Sequence, residues 1–133
     1  MSKRGQHDVF LKVRLWFESD RGPLLGPGRL ALLEGVRRLG SLNKAAAEMG
    51  MSYRRAWGRV KEAEKRLGDA LVVDAGGRNG FRLTPLADRL VDDYVAWMTE
   101  VKSFALERAQ VRFPWHVETR PEAGVAPGAA DAG

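Results

Sequence analysis

Apolar and polar positions divide the chain into a series of patterned stretches. Val9 to Glu18 reads VFLKVRLWFE, an imperfect alternation rich in β-branched and aromatic residues. SDRG follows as a turn before PLLG, so an N-terminal β-hairpin is expected. Gly28 to Leu39 places Leu32, Leu33, Val36 and Leu39 at helical spacing, and Gly40 after them fits a left-handed cap. Gly40 to Gly68 then reads as a short helix, a tight turn and a longer helix. Small Ala45 and Ala46 let two helices approach, Met49 and Met51 fill the space between them, and Gly50 supplies the positive φ of a sharp turn. Ser52 caps the longer helix, whose inward stripe is Ala56, Val60, Ala63 and Leu67 at spacings of 4, 3 and 4.

Beyond that helix, LVVDAGGRNGFRLT predicts a strand over Leu71 to Val73, a glycine-rich turn over Gly76 to Gly80 and a strand over Phe81 to Leu83. Thr84 and Pro85 open a final helix by cap and first-turn proline. Its stripe of Leu86, Leu90, Tyr94, Trp97, Val101 and Phe104 continues for over twenty residues. Such a helix spans roughly 35 Å, which overhangs so small a domain and leaves part of the stripe for a second copy of the chain. From Phe113 the composition turns to Pro, Gly and Ala without periodicity. The expected organisation is a flexible N-terminus over 1–8, one domain over 9–112, and a disordered tail over 113–133. The fold class is α+β and mostly α: a winged helix-turn-helix with an N-terminal β-hairpin and a long C-terminal dimerisation helix.

Composition narrows the function. With 133 residues and 44% hydrophobic content the chain can bury one core. It has no cysteine, which excludes disulfides, thiolate metal sites and thiol catalysis. The opening MSKRGQHDVF is polar and leads into no apolar run of signal or membrane length, so a cytoplasmic protein with no membrane partner is expected. The only histidines, His7 and His116, lie in the end segments as solvated side chains. No carboxylate cluster, nucleophile with base or metal-ligand spacing is present in the sequence, so neither an enzyme nor a metal or cofactor site is expected. The glycine loop lacks the Lys and hydroxyl of a phosphate cradle. Trp16, Trp57 and Trp97 sit in apolar patterns and are expected in the core, Trp57 packed beneath the wing rather than on DNA.

Net charge is +5 with a pI near 10.0, and its placement matters more than its total. From Ser52 to Gly68 the cations Arg54, Arg55, Arg59, Lys61, Lys65 and Arg66 face only Glu62 and Glu64. Arginines in a first helical turn oppose the helix macrodipole at a cost of a few tenths of a kcal/mol, so a phosphate or guanine edge is the partner that favours them. A solvated charged face is the alternative reading. Arg78, Asn79 and Arg82 around the glycine turn are placed to meet a sugar-phosphate backbone.

SYRRAW within GMSYRRAWGRV, with GSL and the Ala45-Ala46 pair before it, resembles the N-terminal domain of the ModE-type molybdate-responsive regulators. LKVRLWFE is similar to that family's opening hairpin, and LVVDAGGRNGFRLT to its wing and helix start. The helix-turn-helix by itself is LysR-like. The resemblance implies a winged helix that dimerises and binds double-stranded DNA at an inverted-repeat operator. It places Ser52, Tyr53, Arg54 and Arg55 at the start of the recognition helix, followed by Arg59, and Arg78 on the wing. Dimerisation is expected through Leu90, Tyr94, Trp97, Val101 and Phe104. Bound molybdate is not expected. The competing reading is a nonspecific architectural DNA-binding or protein-adaptor module.

Overall fold

The computed structural model describes residues 8–77 and 80–120. In chain order it contains β1 (Val9–Leu11), β2 (Phe17–Ser19), β3 (Gly22–Leu25), α1 (Pro27–Leu39), α2 (Leu42–Glu48) and α3 (Tyr53–Leu67). The wing strands β4 (Val72–Asp74) and β5 (Phe81–Leu83), α4 (Pro85–Arg112) and β6 (Val117–Thr119) follow. This is the mostly α, α+β architecture expected.

Local signals account for the helix boundaries. Ser41 accepts the Lys44 amide, Ser52 the Arg55 amide and Thr84 the Ala87 amide, at 3.1, 3.1 and 3.2 Å. Each hydroxyl satisfies one of the amides that a helix start leaves unpaired. Pro85, like Pro27, occupies the first turn, where a missing amide costs nothing. Gly40 ends α1 at φ +70°, its amide bonded to the Val36 carbonyl, and Gly50 makes the α2–α3 turn at φ +67°.

The core lies where α1, α2, α3 and the first turns of α4 meet. Leu32, Leu33, Val36, Leu42, Ala56, Val60, Leu71 and Val91 are fully shielded from water. Met51 fills the helix-turn-helix interior as expected, while Met49 packs at its edge and Leu67 is half-buried. β4 and β5 pair antiparallel with Val72 opposite Leu83 and Val73 opposite Arg82, so Val72 and Leu83 cover the core.

Three expectations are corrected. The Val9–Glu18 arm of the hairpin is broken: only β2 pairs antiparallel with β3, and β1 pairs parallel with β6. Between them the chain lies along α4, where the Tyr94 hydroxyl donates to the Leu15 carbonyl at 2.6 Å, so tertiary packing replaces strand pairing. The tail does not begin at Phe113, because β6 occupies part of it. The Gln110 carboxamide fixes Val117 by donating to its carbonyl at 2.7 Å and accepting from its amide at 3.2 Å, and the Arg120 guanidinium covers the Phe10 ring. Trp16 is not in the core: it is exposed and donates its indole N–H to Glu18 at 3.1 Å. Residues 1–7 and 121–133, including His7, lie outside the described residues.

Candidate nucleic-acid interface

The apolar stripe of α3 fixes what the helix displays. With Ala56, Val60 and Ala63 turned inward, Tyr53, Arg54 and Arg55 stand exposed on its first turn, immediately after the exposed cap Ser52. Arg59 follows one turn later and is half-buried. The structure thus gathers five of the expected DNA-facing residues along one helix. Arg82 stands on a second element, exposed on β5. Arg78 and Asn79 lie outside the described residues.

Aromatic packing joins α3 to the wing. Tyr53 and Trp57 stack with ring centroids 6.4 Å apart, and Trp57 meets Phe81 of β5 at 5.8 Å. The Lys61 ammonium sits 4.6 Å over the Trp57 ring. Trp57 therefore packs under the wing, as its apolar setting predicts. The Phe81 amide also donates to the Gly40 carbonyl at 3.1 Å, which ties β5 to the end of α1.

Both acids of α3 are held in ion pairs. Glu64 takes Lys61 at 2.8 Å and accepts the Leu71 and Val72 amides at 2.7 and 3.2 Å. Burial pushes its carboxyl up, but the lysine and the two amides together outweigh burial and hold it below the usual carboxylate range. Glu62 accepts Arg29 Nη2 at 2.7 Å, and Arg29, almost fully buried, also donates to the Arg59 carbonyl at 3.3 Å. Neither Glu64 nor Arg29 stands out in the sequence, because each acts across a distance that helical periodicity does not report.

The second half of α4 is the other candidate surface. Leu90, Tyr94 and Trp97 pack partly within the protomer, Trp97 stacking on Phe17 at 4.9 Å. Val101 is half-buried and Phe104 is 65% exposed.

A three-helix core with a basic second helix of a helix-turn-helix, flanked by a two-stranded wing, defines a winged helix-turn-helix protein. Residues 28–88 match the family described as bacterial regulatory helix-turn-helix protein, lysR family. The chain is 37% identical over 103 residues to the molybdenum transport protein ModE of Azotobacter vinelandii, covering 75% of this chain and 38% of that protein. It is 30% identical over 90 residues to the transcriptional regulator ModE of Haemophilus influenzae, covering 65% of this chain and 34% of the relative. The chain therefore spans under two-fifths of the length of these curated relatives. Among solved structures, the CbnR DNA-binding domain in complex with DNA superposes with a TM-score of 0.50 at 21% identity, over 63% of this chain and 95% of that one. That likeness concerns the fold.

Proposed function

We propose that the protein is a dimeric, sequence-specific DNA-binding transcriptional regulator of molybdenum-related genes, working in the cytoplasm. The observation that carries this reading is the exposed Arg54-Arg55 pair on the first turn of α3, at the front of a LysR-type helix-turn-helix. A guanidinium there reaches a guanine O6 and N7 in the major groove, and Arg59 and Arg82 reach phosphates beside it. Ser52, Tyr53, Arg78 and Asn79 complete the proposed contact set. The ModE relatives supply the link to molybdenum.

Dimerisation through α4 is part of the proposal. Trp97, Val101, Phe104 and Val111 recur at the alternating three- and four-residue steps of a helix seam, interrupted by Arg108. Phe104 and Val111 are exposed along it. A two-fold dimer places two α3 helices on one face of DNA, so the operator is an inverted repeat with half-sites separated by a multiple of about 34 Å.

The test is enrichment of bound fragments from genomic DNA, followed by titration of Arg54→Ala and Arg55→Ala against the recovered site and its point variants. Loss of about 1 to 3 kcal/mol confined to one base position is expected for a bidentate contact. Binding that disappears under excess random duplex, with no enriched sequence, would reassign the domain to nonspecific architectural binding.

A further inference from the structure

Two glycines occupy helix interiors with opposite explanations. Gly35 in α1 is required by the fold, since a Cβ there would lie 2.8 Å from that of Ala45. Gly58 in α3 is not: a Cβ there meets nothing within 4 Å. Glycine nevertheless weakens a helix interior relative to alanine, so the position carries a cost for which the packing of the protomer gives no return. What a missing side chain offers at an exposed helical site is room for something to approach the backbone.

The surroundings of Gly58 indicate what approaches. It lies on the wall of an open cleft of about 510 Å³ between α3 and the β2–β3 hairpin, on the flank of α3 that Arg55, Arg59, Glu62 and Arg66 share. Among the described residues, Glu62 is the only carboxylate lining it, and it is engaged by Arg29. Arg66 Nη1 donates to the Pro23 carbonyl, which binds the hairpin to α3, and both residues line the cleft. The result is a cation-rich trough beside α3 whose wall lacks a side chain at one residue.

The geometry points to Gly58 as a close-approach position for the sugar-phosphate backbone of duplex DNA, seated in this trough on the hairpin side of α3. This inference rests on the DNA-binding reading and adds to it a contact made by the α3 backbone at Gly58. A phosphate seated there gains attraction from the surrounding guanidinium groups, and the sugar beside it fits against helix backbone only while no side chain intervenes.

The prediction has opposite signs in two measurements on the full chain. Gly58→Ala should raise the midpoint of thermal unfolding by roughly 4 °C, because alanine is the better helix former. The same substitution should weaken binding by roughly tenfold or more to the duplexes that the wild type enriches from a random-sequence library. Gly58→Leu should weaken it further while the fold stays intact by circular dichroism. Unchanged or improved affinity in a stabilised Gly58→Ala variant would overturn the inference and leave the DNA-binding reading standing. A wild type that enriches no duplex would end both.

Discussion

Gly35 shows how narrow the tolerance between α1 and α2 is. Its hydrogen faces Ala45, itself 1% exposed, so the two helix backbones meet with no side chain to spare. Adding a methyl group forces the helices apart in a region that has no free volume. Gly35→Ala should therefore cost about 1 to 3 kcal/mol despite the better helix propensity of alanine, read as a lower urea midpoint with unchanged slope. The pairing of Gly35 with Ala45 is legible in the sequence only on one side. The Ala45-Ala46 pair announces a close approach, while Gly35 sits in the middle of an otherwise ordinary amphipathic repeat. Trp16 misleads for a related reason, since an aromatic in an alternating pattern belongs to the core only where the chain forms a paired strand, and Trp16 lies in the unpaired stretch between β1 and β2.

Among the elements, α3 and the wing behave as one unit because Glu64 stitches them. Its carboxylate accepts the two amides that lead into β4, and the aromatic contact of Trp57 with Phe81 closes the other side. Since the folded carboxyl titrates below its unfolded value, the ionised form stabilises the fold. That contribution is complete above the unfolded value of about 4.5 and is lost as pH falls through the lower folded value. Glu64→Gln keeps the shape and an acceptor but removes the charge, and should cost about 1 to 2 kcal/mol at pH 7. Denaturant titrations at descending pH check it: the gap between wild type and variant should close below pH about 4.5. A gap that persists in acid would mean that shape rather than charge fastens the wing. The caps Gly40, Ser52 and Thr84 of α1, α3 and α4 are readable in the sequence, since a cap is written within four residues of the turn it closes. The Glu64 stitch is not, because its partners lie seven and eight residues away on a different element.

At the scale of the whole molecule, α4 is 28 residues, about 42 Å, and only its first turns are buried in the core. The N-terminal segment covers part of the remainder through Leu15, Phe17 and the Tyr94 hydroxyl, an arrangement between distant residues that periodicity cannot foretell. Phe104 stays outside this cover. If two copies meet along the seam, Phe104→Lys places an ammonium in an apolar interface at a cost on the order of several kcal/mol. Light scattering over a dilution series should then show monomer where the wild type shows dimer, with weaker binding to the inverted repeat since each half-site is held alone. A wild type that is already monomeric at micromolar concentration would remove the two-fold operator geometry.

The pairing of β1 with β6 joins Val9 to Val117, residues 108 positions apart. A ribosome extends a chain from its N-terminus at about 5 to 20 residues per second, so β1 emerges roughly 5 to 20 s before its partner strand exists. The core residues of α1 to α3, the wing and the first turns of α4 end at Val91, so all of them are synthesised before Val117 exists. The nascent protein therefore passes through an interval in which the helix-turn-helix is complete and a VFL strand edge is bare, the form in which a chain is most open to pairing with a neighbour. Translation speed across the α4 codons thus sets how long each new molecule remains exposed to that misassembly.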